Sequence, residues 1–142
     1  MKTLEDMRLL AVDDSIVDLR ILQAMLSSLA IKQVYTAKSG REALDFLGSC
    51  DDLLDVVVCD WNMPSVSGLD VLRQLRSVDP DLPFIMLTAT AAKHAVIEAG
   101  AAGVTSYIVK PYSQSQLAVK LKAILQMMNL RNEPVGQKAP YR

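Results

Sequence analysis

Five short apolar runs alternating with longer stretches of helical spacing predict a doubly wound α/β domain, a single five-stranded parallel sheet inside a three-layer sandwich. Two further observations support this class. The third run contains Val56-Val57-Val58, apolar on successive positions, so both faces of that strand need cover, as in the centre of a parallel sheet. Four of the helical stretches open on a serine followed three residues later by an acid or amide, the pattern of a reciprocal N-terminal cap. No G-x-G-x-x-G occurs, which argues against a dinucleotide-binding version of the fold.

Each element can be justified in turn. The first strand spans 9–12, and Ser15 with Asp18 then opens a helix carrying Leu19, Leu22, Leu26 and Leu29 at helical spacing. The second strand spans 33–36, and Ser39 with Glu42 opens the second helix. The third strand spans 54–59, and Ser67 with Asp70 opens a helix with Leu69, Leu72 and Leu75 inward. After the fourth strand, 84–87, the stretch 92–102 is helical but has no such start. Gly100 inside it costs about 1 kcal/mol relative to alanine, so this helix is predicted to be the least firmly held. The fifth strand spans 107–109, and Ser113 with Gln116 opens a last helix with Leu117, Leu121, Ile124 and Met128. Beyond it the periodicity stops, and Pro134, Gly136 and Pro140 read as a frayed tail. The expected organisation is therefore one domain over 1–128 and a disordered or loosely docked tail over 129–142.

Composition bounds the function. The chain has 142 residues, with 15 basic and 16 acidic side chains for a net charge of -1, so a general nucleic-acid coater is not expected. Apolar residues make up 51% and charged residues 22%, an ordinary core-forming balance. Two cysteines, Cys50 and Cys59, are too few for a disulfide scaffold and suit a reducing compartment. The start, MKTLEDMRLL, places acids where a secretory signal would be apolar, and no run approaches about 18 apolar residues. The expectation is a cytoplasmic protein with neither a nucleic-acid nor a membrane partner.

Ligands of open parallel sheets bind at the carboxyl ends of the strands. There the first strand offers Asp13 and Asp14, the third Asp60, the fourth Thr88 and the fifth Lys110, while the second, ending in Thr36 and Ala37, offers no charge. Three carboxylates at close quarters repel and raise one another's pKa unless a cation sits among them. A small oxygen-only set with room for water favours Mg²⁺, with Mn²⁺ able to substitute, over a closed Ca²⁺ cage; no Cys/His pair has zinc spacing. Lys110 and Thr88 add a point positive charge and a hydrogen bond suited to the oxygens of a phosphoryl group. A carboxylate attacking phosphorus gives an acyl phosphate, so the set reads as an aspartyl-phosphate site with Asp60 as acceptor.

Those residues carry a family resemblance. A-V-D-D-S at 11–15, C-D-W-N-M-P at 59–64 with Gly68, M-L-T-A at 86–89 and A-G-V-T-S-Y-I-V-K-P at 102–111 together resemble a response-regulator receiver domain of the CheY-like type. The resemblance runs from about Arg8 to Met128 and implies the flavodoxin/CheY-like strand order 2-1-3-4-5, which puts the four strands with reactive ends side by side. It implies that Asp14 binds Mg²⁺ directly, Asp13 mainly through water, and that Asp60 both binds the metal and accepts the phosphoryl group. Asn62 would lend its backbone carbonyl to the metal. Thr88 and Lys110 would hold phosphoryl oxygens, Tyr107 would be the aromatic switch, and Lys110-Pro111 would be a peptide bond often cis in the family.

The implied function is a two-component signalling switch. A sensor histidine kinase or histidine phosphotransfer protein would supply the phosphoryl group, and small phosphodonors would also serve. The protein would have only intrinsic self-phosphorylation and autodephosphorylation activity. The output partner, unnamed by the sequence, would read the face of the fourth helix, fifth strand and fifth helix, and D-W-N-M-P with Tyr107 resembles the chemotaxis branch. The protein would be a monomer or a phosphorylation-dependent dimer. Asn62 and Thr90, two residues after Asp60 and Thr88, carry no charge to activate water, so a phospho-form lasting seconds to minutes is expected. Three alternatives stay open. A Mg²⁺-dependent aspartyl-phosphate phosphohydrolase lacks here the usual second carboxylate at position 62. A pure scaffold would not need the full acidic set, and a receiver fragment of a longer regulator or hybrid kinase would carry the same residues.

Other conspicuous residues have plain readings. Cys59 is expected to be a small buried apolar side chain rather than a redox sensor, and Cys50 a partly exposed thiol at the end of the second helix. The lone histidine, His94, is expected to be solvated or partner-facing, Trp61 to pack over the acceptor loop, and Asp51 and Asp52 to be solvated in a loop.

Overall fold

The structure is a computed structural model describing residues 1–50 and 53–131. A 3₁₀ turn, Leu4–Asp6, precedes five strand–helix units. These are β1 (Arg8–Val12) and α1 (Ile16–Ser28), β2 (Gln33–Ala37) and α2 (Gly40–Ser49), β3 (Val56–Asp60) and α3 (Gly68–Val78), β4 (Phe84–Thr88) and α4 (Lys93–Ala101), β5 (Ser106–Val109) and α5 (Gln114–Arg131). All strand pairs are parallel and the order is β2-β1-β3-β4-β5. The registers Val12 with Cys59 and Asp60 with Leu87 bring the strands to their carboxyl ends at one level.

Both faces of the sheet are covered. Leu10, Val57, Phe84 and Met86 pack with Ala43, Leu47, Leu72 and Leu75 on the α2–α3 side. Leu9, Val58, Ile85 and Leu87 pack with Leu19, Leu22, Leu26, Leu117 and Leu121 on the α1–α5 side. Every residue of β3 is buried, as its unbroken apolar run requires.

The helix starts divide by their caps. Ser67 with Asp70 and Ser113 with Gln116 form reciprocal caps. Ser39 accepts the Glu42 N–H, but Glu42 returns to the N–H of Lys38 instead of that of Ser39. Ser15 accepts the Asp18 N–H, while its own N–H goes to Asp13. α4 begins at Ala92 with no side-chain cap. No helix among the described residues is long and apolar enough to cross a membrane.

Most boundaries shift by one residue, and two depart further from the sequence reading. β3 begins at Val56, with Leu54 buried ahead of it. α5 runs on to Arg131, because Asn129 exchanges two hydrogen bonds with the backbone of Lys2 and so gives its last turn tertiary support. The remainder of the expected tail, 132–142, lies outside the described residues, as do Asp51 and Asp52. Cys50 is buried, not partly exposed, at the C-cap of α2 in extended backbone (φ -72°, ψ 126°).

Candidate functional site

The parallel sheet delivers three carboxylates to one place. Asp13 follows the last residue of β1 and Asp60 is the last residue of β3, its neighbour in the sheet. Oxygens of Asp13, Asp14 and Asp60 lie within 4.8 Å of one another, with Asp13 and Asp60 buried and Asp14 exposed. This all-oxygen cluster, open on the Asp14 side, can coordinate a hard divalent cation such as Mg²⁺.

Lys110, just beyond β5, reaches back over the cluster. Its Nζ is 3.1 Å from Asp60 Oδ1, 3.2 Å from Asp13 Oδ2 and 3.5 Å from Asp18 Oδ2. The Lys110–Pro111 peptide is cis. Burial alone would lower the Lys110 pKa, but the charges and hydrogen bonds of Asp60 and Asp13 outweigh it and raise it, so the ammonium is fixed. The Asp60 carboxyl lies above the usual carboxylate range, first through burial, then through repulsion from Asp13 with a smaller part from Asp14; Lys110 opposes both.

Thr88 ends β4 one residue beyond the partner of Asp60 and is buried. Its Oγ1 accepts the Thr90 N–H at 3.3 Å, and its carbonyl accepts the Lys110 N–H at 2.7 Å. Tyr107 is half-buried against the α2–α3 core, and its hydroxyl donates to the Thr90 carbonyl. Thr90 thus links Thr88 to the Tyr107 ring through its own backbone. Asn62 is exposed two residues past Asp60. Trp61 packs partly buried on the same core.

The loop after Asp60 is held by a close backbone approach. Gly68, the first residue of α3, donates its N–H to the Trp61 carbonyl at 2.8 Å. A Cβ there would stand 2.3 Å from the Asp60 carbonyl oxygen and 2.9 Å from Trp61 Cα, so only glycine fits without displacing the end of β3.

Sequence reasoning missed Asp18 and Tyr112. Both line a cavity of about 410 Å³ with Asp13, Ile21, Met25, Lys110 and Pro111. Burial pushes the Tyr112 hydroxyl up to about 12; Lys110 opposes this, and Asp13, Asp18 and Asp60 add to it. The one signal for Asp18 was its place in the Ser15 cap pattern. Cys59 is fully buried, and burial with the Asp60 and Asp13 charges pushes its thiol well up, which keeps it protonated and unreactive. His94 is exposed on α4.

Known proteins share this architecture. The family model of the response regulator receiver domain matches residues 9–122. The chain is 41% identical to chemotaxis protein CheY1 of Helicobacter pylori, over 84% of this chain and 97% of that one. It is 38% identical to chemotaxis protein CheY of Pseudomonas aeruginosa, over 87% of this chain and 99% of that one. Among solved structures, a response regulator receiver domain protein from Clostridium thermocellum superposes with a TM-score of 0.80 at 27% identity, covering 87% of this chain and 98% of that one. The chemotaxis protein CheY4 of Vibrio cholerae superposes with a TM-score of 0.76 at 31% identity, covering 83% and 98%.

Proposed function

Since the chain belongs to the response regulator receiver family, we propose that it is a phosphorylation switch in which Asp60 is the acceptor. The observation that carries this reading is the Lys110 ammonium, held at 3.1 Å from Asp60 and 3.2 Å from Asp13 above a cluster suited to a divalent cation. An Asp60 carboxylate oxygen attacks the phosphorus of a phosphohistidine on a sensor kinase or phosphotransfer protein. The new P–O bond forms as the P–N bond breaks, and the imidazole leaves with the bonding pair and takes up a proton. Lys110 and the Thr88 hydroxyl hold the phosphoryl oxygens as charge builds on them. Asp13, Asp14, Asp60 and the Asn62 carbonyl would hold Mg²⁺ or Mn²⁺, which supplies charge neutralisation at those oxygens.

The switch follows from Thr90. When Thr88 turns toward the phosphoryl group, its Oγ1 leaves the Thr90 N–H and the loop before α4 loses a tie that also holds Tyr107. The Tyr107 ring then repacks, and the α4–β5–α5 face changes. That face exposes Val96, Ile97, Val109 and Val119, an apolar surface for an output protein. The relatives named chemotaxis proteins favour such a role in chemotaxis for this chain as well. The protein acts in the cytoplasm, as a monomer or as a phosphorylation-dependent dimer. With uncharged Asn62 and Thr90 flanking the site, the phosphate persists for seconds to minutes.

Trp61 fluorescence during titration with a small phosphodonor or beryllofluoride in Mg²⁺ tests the reading. The expected result is a saturable change, lost in Asp60→Asn, with a covalent phosphate visible by mass. A flat response in wild type with no covalent phosphate would overturn it.

A further inference from the structure

The sequence Ser15-Ile-Val-Asp18 spells the same reciprocal cap as Ser67 with Asp70, yet only half of it forms. Ser15 Oγ accepts the Asp18 N–H at 3.2 Å. The return bond is taken over: the Ser15 N–H donates to Asp13 Oδ1 at 3.0 Å. Asp18 is thereby released from its local task, and its Oδ2 stands 3.5 Å from Lys110 Nζ.

Three carboxylates surround this ammonium, those of Asp60, Asp13 and Asp18 at 3.1, 3.2 and 3.5 Å. An incoming phosphoryl oxygen must compete with these three negative charges for it. Asp13 and Asp60 are almost fully buried, with side-chain exposures of 3% and 9%, whereas Asp18 is 50% exposed and its hold is screened by water. Asp18 is therefore the partner that yields, and it lines the same cavity as Lys110.

We propose that Asp18 is a positioning residue for Lys110, a third carboxylate that holds the ammonium back in the unmodified protein and sets how readily the site takes a phosphoryl group. The proposal rests on Asp60 being the acceptor. Asp18 touches no reacting atom; it acts through Lys110. Replacing its charge while keeping its shape should leave the fold intact, because the cap bond to Ser15 uses the Asp18 backbone. Lys110 is then freer to engage an anion beside Asp60.

The test is titration with beryllofluoride at saturating Mg²⁺, read by Trp61 fluorescence, in wild type, Asp18→Asn and Asp18→Glu. Asp18→Asn should bind about two- to five-fold more tightly, the range an exposed ion pair supports, and Asp18→Glu should return toward wild type. A merely structural role for Asp18 would predict weaker binding on its loss. The Lys110 ammonium resonance, followed by ¹H–¹⁵N NMR without Mg²⁺ or beryllofluoride, should shift in Asp18→Asn. A wild type that responds, alongside an Asp18→Asn protein with unchanged or weaker affinity or an unshifted ammonium signal, overturns the role of Asp18 and leaves Asp60 as acceptor. A wild type with no response at all overturns both.

Discussion

Adding one methyl group at Gly68 should weaken this protein, although the residue begins a helix and alanine is the better helix former. In open surroundings Gly→Ala in a helix gains up to about 1 kcal/mol. At Gly68 the added Cβ stands 2.3 Å from the Asp60 carbonyl oxygen and 2.9 Å from Trp61 Cα. Carbon–oxygen contact needs roughly 1 Å more than that, and both obstacles are backbone, so no side chain can rotate away. Either the start of α3 or the end of β3 must move, and the 2.8 Å bond from Gly68 N–H to the Trp61 carbonyl stretches with it. Overpacking of this kind costs about 1–3 kcal/mol, and the strained hydrogen bond adds to it. Net of helix preference, a loss of about 1–2 kcal/mol is expected, or about 2–8 °C in Tm for a chain of this size. Gly100 supplies the control: nothing lies within 4 Å of a Cβ there, and it sits inside α4, so Gly100→Ala should gain stability. Thermal and urea melts of both variants decide the matter. Because the displaced atoms carry Asp60, Gly68→Ala should also weaken Mg²⁺ binding measured by Trp61 fluorescence. A Gly68→Ala protein as stable as wild type would refute the close approach and with it the account of how Asp60 is held.

Asp60→Asn should raise the stability of the metal-free protein near neutral pH. The folded-state pKa of Asp60 is raised, so its protonated form favours the fold; that contribution is present below the ordinary carboxylate pKa and is lost as pH rises through the raised value. Asparagine keeps the neutral form at every pH, so the gain over wild type in urea midpoint should shrink as pH falls toward the carboxylate range; a gain that grows on acidification would contradict the sign. Thr105→Val should cost about 1–3 kcal/mol in chemical denaturation, because Thr105 Oγ1 is the acceptor at 2.9 Å for the backbone N–H of Phe84, the first residue of buried β4. Hydrogen exchange should find α4 less protected than α3, since α4 starts at Ala92 without a side-chain cap while α3 starts on a reciprocal Ser67–Asp70 cap; equal protection would count against α4 as the mobile element.

Much of the fold was legible because local rules and tertiary demands agree. The Val56-Val57-Val58 run names the central strand without alignment, since only burial on both faces tolerates it. Asp13, Asp60, Thr88 and Lys110 could be gathered from distant positions because a parallel sheet aligns its strand ends, so the last residue of each run falls at one level. What escaped was set by contacts that no period encodes. The end of α5 depends on Asn129 meeting Lys2, a partner 127 positions away. Cys50 is buried at the C-cap of α2, and a single cysteine at a helix end carries no sign of the tertiary packing it meets.

Asp18 shows the deeper reason for such misses. Its motif is a sound local rule, and the rule gives way because Asp13, buried and committed to Lys110 on one oxygen, can satisfy its other oxygen with the Ser15 N–H. A buried carboxylate gains more from that bond than an exposed one on the first turn of a helix would. The acid that loses the competition is then free to face the nearest positive charge, which is Lys110. The pattern forms in full at Ser67 and Ser113; at Ser39 the return bond slips to the Lys38 N–H, and at Ser15, the start that abuts the acidic cluster, Asp13 takes it over. A cap left half-made beside a charged site therefore marks a side chain whose energetics belong to the site, not to the helix.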